Sequence, residues 1–163
     1  MSSVRAALFV AGLLVSSCAS SQFDGRVYRN GELAFRVGEV PTSWRRIEVE
    51  DTLLAFRDDH SEATVAVNGR CGKDGDDVPL ESLTHHLFLQ FTDREIVGQT
   101  KLSLDGRDAL KTELVAELDG VPKHFTVFVL KKDGCVYDFW YISHDGKQIE
   151  NFERFVQGFA TLS

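Results

Sequence analysis

The chain has 163 residues, 43% of them hydrophobic and 26% charged, and a formal net charge of −7 at pH 7. That length suits one domain with a substantial core. The acidic balance argues against a nucleic-acid partner, whose phosphates call for a basic surface, and against a chain lying flat on anionic lipid.

The first element is an apolar block, Ala6 to Val15, preceded by one charged side chain, Arg5. About ten apolar residues match the hydrophobic stretch of a signal peptide and fall short of the ~20 needed to span a bilayer. The block runs into Val15-Ser16-Ser17-Cys18, which resembles the lipobox of bacterial lipoproteins: an aliphatic residue, two small residues, then cysteine. The resemblance implies that residues 1–17 are removed, that the Cys18 thiol carries a diacylglycerol, and that the new amino terminus is acylated. Two or more chains hold a protein stably on a bilayer where one binds only marginally. Ala19 follows the cysteine, which by the sorting rule of some enteric bacteria points to the periplasmic side of the outer membrane, with the inner membrane as the alternative.

Residues 18–32 are polar and glycine-containing and are expected to form a lipidated N-terminus and tether, with the domain at 33–163. The strands then follow at 33–37, 44–49, 53–58 and 63–69. Cys71 comes just after the last of these. With Cys18 lipidated, Cys71 and Cys135 remain, and an exported chain lets them pair. Neither lies in a Cys-x-x-Cys spacing, so joint metal ligation is disfavoured.

In 79–91, Leu80, Leu83, Leu87 and Phe91 recur at helical spacing behind Pro79. Asp-Gly then appears at 105–106, 119–120 and 133–134. Asp-Gly suits two-residue hairpin turns, since both positions tolerate positive φ. The alternating segments between these turns predict an antiparallel meander of 94–104, 107–118, 121–132 and 135–143. A second helical stripe, Ile149, Phe152, Phe155, Val156 and Phe159, marks 148–160. Both helices need a sheet face to cover, giving an α+β fold: an antiparallel sheet with packed helices.

That order resembles the PsbP-like family, on "FRVGEVPTSW" (35–44), "LLAFRD" (53–58), the helix at "PLESL" and the closing "NFERFVQGFATL". The resemblance implies an α/β/α sandwich that usually acts as a binding or assembly accessory and not as an enzyme. The lipid anchor implied by the lipobox makes the bilayer and an envelope protein the expected partners. No cofactor is implied.

Rival chemistry has two candidate seats. His85 and His86 are adjacent on the first helix and point about 100° apart, whereas two helical metal ligands sit four residues apart. The acidic loop 72–77, "GKDGDD", offers oxygen ligands but lacks the remaining positions of a calcium loop. A metal-binding or enzymatic role would use one of these; a purely structural envelope component would need neither. Trp44, Tyr137, Trp140 and Tyr141 could line an aromatic partner surface, with the core as the competing destination.

Overall fold

The computed structural model describes residues 21–72 and 78–162. Cys18 and most of the 72–77 loop lie outside the described residues. Seven strands form one antiparallel sheet: β4 (Trp44–Ile47), β5 (Leu54–Asp58), β6 (Ala63–Cys71), β7 (Thr92–Leu104), β8 (Arg107–Leu118), β9 (Val121–Lys132) and β10 (Cys135–Ser143). Their order is β4-β5-β6-β10-β9-β8-β7. The meander β7 to β10 turns at the three Asp-Gly pairs, whose φ angles run from +50° to +76°, as two-residue turns require.

A smaller sheet, β1-β2-β3-β11, joins β1 (Gln22–Phe23), β2 (Val27–Arg29) and β3 (Ala34–Arg36) to β11 (Ala160–Thr161) near the chain's end. The segment expected as a tether to residue 32 is therefore already strand from Gln22. Leu33 and Phe35 are buried with it, and Tyr28 stacks on Phe35 at 5.0 Å. Apolar side chains two residues apart, held by a partner far along the chain, make this an element that local composition reads as linker.

Strand alternation on β10 divides the core in two. Cys135, Tyr137, Phe139 and Tyr141 face α2 (Glu150–Gln157) and the small sheet. Val136 and Trp140 face α1 (Leu80–Leu87). Helix α2 buries Phe152, Phe155 and Val156 completely; Phe152 meets Phe128 and Tyr141, and Phe155 meets Trp44 and Phe56. Truncating such a ring to alanine typically costs about 3–5 kcal/mol. The end of α2 is pressed against the loop after β3. Gly38 N–H donates to Phe155 O at 2.8 Å, and a Cβ on Gly158 would come within 2.3 Å of Gly38 Cα. Only glycine fits there.

Cys71 and Cys135 are direct partners in the β6–β10 register, Cα to Cα 4.0 Å, and are joined by a disulfide. The strand entering the bridge is two residues longer than its sequence signal, because the ladder with β10 carries Arg70 and Cys71 past the last apolar position.

Candidate functional site

Helix α1 lies over β8 and β9, and side chains bridge from it to β7, the edge of the large sheet. Along its flank Glu81, Thr84, His85 and Phe88 share one face at i, i+3, i+4 and i+7. Across from them stand Arg94, Ile96 and Gln99 of β7, with Thr112 and Leu114 of β8 beneath. The space enclosed is about 380 Å³, the size of a small-ligand site.

The lining sorts into a floor and a set of polar groups. Phe88 and Leu114 are buried, while Ile96 remains 58% exposed on the open side. Gln99 Nε2 donates to Thr112 Oγ1 at 3.0 Å, and Arg94 Nη1 donates to the Phe88 carbonyl at 2.8 Å. Lys101 pairs with Glu81 at 2.9 Å. The hydrogen bond from that ammonium holds the Glu81 carboxyl below its ordinary value and raises Lys101 in turn. Thr84 is only 2% exposed, and its hydroxyl has no hydrogen-bond partner. An orphaned buried hydroxyl costs about 1–3 kcal/mol, which native structures rarely leave standing.

The two histidines diverge as their adjacency implies. His85 lines this groove, and His86 lines a separate crevice with Arg70, Cys71, Gly72, Val78, Leu83 and Val136 beside the disulfide. Among the described residues, no three His, Cys, Asp or Glu side chains gather closely enough to hold a metal ion, and no helix is long and apolar enough to cross a membrane.

The four aromatic residues considered for a partner surface, Trp44, Tyr137, Trp140 and Tyr141, are all buried, at 1–9% exposure. This corrects that expectation, and the reason is that both faces of β10 are covered. Tyr137 packs on Phe35 and Phe159; Tyr141 stacks on Phe152 and its hydroxyl donates to the Lys147 carbonyl at 2.8 Å. Trp44 sits between Phe56 and Phe155. Trp140 packs on Phe88, and its indole N–H donates to Asp138 at 2.5 Å. Asp138, itself buried, also accepts from Asn68 and Arg70. These residues build the fold and expose no ring to a partner.

Sequence reasoning missed the groove residues Thr84, Arg94, Ile96, Gln99, Thr112 and Leu114 as a set. Two signals bear on them. The first is the mixed stripe 81/84/85/88 beside the apolar stripe of Leu80, Leu83 and Leu87. The second is the run "TDREIVGQTK" at 92–101, too polar for a central strand, which marks β7 as an edge.

No protein-family model matches the chain, and no curated protein matches it in sequence. Solved structures do match in shape. The fold is an antiparallel-sheet sandwich with two helices that resembles the PsbP-like fold. The cyanobacterial PsbP (CyanoP) of Synechocystis sp. PCC 6803 superposes with a TM-score of 0.63 at 14% identity, over 95% of this chain and 99% of that one. LpqN of Mycobacterium tuberculosis, described as involved in cell envelope biogenesis, gives 0.54 at 12% identity over 81% and 86%. A Bacteroides thetaiotaomicron VPI-5482 protein gives 0.59 at 10% identity over 79% of this chain; the alignment spans 45% of that protein's length. The shared property is the fold.

Proposed function

We propose that this chain is a lipid-anchored, non-catalytic accessory protein of the bacterial cell envelope, and that its binding face is the groove between α1 and β7. The groove is the observation that carries the reading. Its apolar floor, ringed by a few hydroxyl, amide and guanidinium groups, has the composition of a recognition site. Anchoring rests on Val15-Ser16-Ser17-Cys18 and the apolar run before it. The description of LpqN as an envelope-biogenesis protein supports the same compartment for a chain of similar fold.

Two variants test the two halves. Cys18→Ser should leave the protein unprocessed or release it from the membrane fraction. Ile96→Arg, an exposed change on the groove, should abolish capture of an envelope partner from detergent extract while leaving the melting temperature near that of the wild type. Mass spectrometry showing an unmodified Cys18 thiol on the membrane-bound protein would refute the anchor. Undiminished capture by Ile96→Arg would refute the groove as the binding face.

A further inference from the structure

Resting on the reading of the groove as the binding face, we infer that its ligand is a small carboxylate attached to an apolar body. Three features converge on that chemistry. The first is charge. Lys111 pairs with Glu113 and Glu153, Lys132 with Asp105, Arg70 with Asp138, and Lys101 with Glu81. Arg94, like Arg36, Arg46, Arg57 and Arg107, has no carboxylate within ion-pair distance among the described residues; what sets it apart is its place on the groove, where its Nη1 donates to the Phe88 carbonyl. A guanidinium presents a planar fork that matches a carboxylate in two parallel hydrogen bonds. The other formal charge on this rim, Glu81, is already neutralised by Lys101, so the groove presents a net positive end inside an acidic chain.

The second feature is Thr84. Thr84 lines the groove, and its buried hydroxyl meets nothing in the protein; a polar atom of the ligand would supply the missing partner once the side chain turns toward it. The third is the floor of Phe88, Ile96 and Leu114, which offers apolar contact to the rest of the ligand. A space of about 380 Å³ accommodates one ring or a short alkyl chain of that body. Such chemistry is found in a free organic acid and at the C-terminal carboxylate of a peptide ending in an apolar residue.

The test is a titration followed by methyl NMR of the full chain in lipid nanodiscs, reading Ile96 and Leu114. The probes are 3-phenylpropionate, its neutral amide, the matching phenylpropylammonium, and N-acetyl-Gly-Phe with a free carboxylate. A carboxylate probe should shift both methyl groups saturably and bind at least tenfold more tightly than the amide; the ammonium should not bind. The tighter of the two acids identifies the source. Arg94→Gln should bring the acid down to the amide's affinity. Thr84→Val should weaken the acid several-fold and at the same time raise the melting temperature of the unliganded protein, a pairing that a merely structural threonine would not produce. Equal binding of acid and amide, or unsaturable shifts spread over the surface, would overturn the ligand class. Those results together with loss of partner capture in Ile96→Arg would keep the groove as a binding face while discarding the carboxylate.

Discussion

Replacing Cys71 and Cys135 together by alanine tests how much of this fold's stability resides in one covalent link. The bridge spans a sequence separation of 64 residues and joins two strands already held in register from Cys135–Cys71 to Ile142–Thr64. The native state therefore loses little when the link is removed, and the effect falls on the denatured chain. Closing a loop of that length removes about 4 kcal/mol of denatured-state entropy in the chain-entropy model. With an unfolding entropy of about 2.1 cal/mol/K per residue over roughly 140 residues, that corresponds to a fall in melting temperature of roughly 10–15 °C. Urea denaturation of the oxidised protein, the reduced protein and the double-alanine variant gives the loss directly. The reduced and alanine forms should agree, and both should show a larger m-value, since a chain freed of its cross-link exposes more surface when it unfolds. A drop in melting temperature below about 3 °C, or a large drop with an unchanged m-value, would refute the denatured-state argument. Two alkylatable thiols in the natively exported, unreduced protein would refute the bridge itself.

Asp138→Ala strips the buried acceptor from Trp140, Asn68 and Arg70 and should cost about 3 kcal/mol, read as a lower urea midpoint. Gly158→Ala drives a methyl into the Gly38 backbone and should cost about 2–3 kcal/mol in thermal melts; a neutral result would show that the α2 end can slide. For Asp105, burial alone would raise the carboxyl's pKa, but hydrogen bonds from Lys132 and from the Thr161 N–H and hydroxyl outweigh it and hold the group below its ordinary value. That stabilisation is present above the unfolded value near 4 and fades as pH falls through the lower folded value. Asp105→Asn should therefore cost about 1–3 kcal/mol at neutral pH, with the gap to wild type closing only in acid. A gap independent of pH would refute the assignment.

The meander was legible because its signals are local. Each Asp-Gly pair sets its own turn, and β8, β9 and β10 begin and end where alternation does. Helix α2 was legible for the same reason, its apolar stripe standing out between Ile149 and Phe159, although the helix is shorter than its periodic signal at both ends. Strands β1, β2 and β11 were not. Two or three residues carry no period, and β3 finds its second neighbour more than a hundred positions away, where Ala160 pairs with Arg36. The disulfide could be read from cysteine number and the expectation of export, since the two candidates lie beside strands that the same pattern defines. The groove could not. Arg94, Thr84 and Thr112 come from three elements, and what makes them a site is the way α1 lies over β8 and β9 beside the sheet edge. No spacing in the chain encodes that placement. The aromatic residues of β10 and β4 left a partner surface open beside the default of core packing, because ring chemistry is the same in a core and on a contact surface, and only the coverage of both sheet faces decides between them.

The pairing of β11 with β3, and the helix just before it, set an order of events for a chain made from its N-terminus. All seven strands of the large sheet are synthesised before α2 and β11 exist. Until those final residues emerge, Phe128, Phe139 and Tyr141 have no cover from Phe152 and Phe159, and the N-terminal hairpin has no β11 beside it. A nascent or prematurely terminated chain would thus present a bare aromatic sheet to any holding chaperone or protease. The cover is completed only by residues 150–161, and a stop codon before them would do more harm than the small size of α2 and β11 suggests.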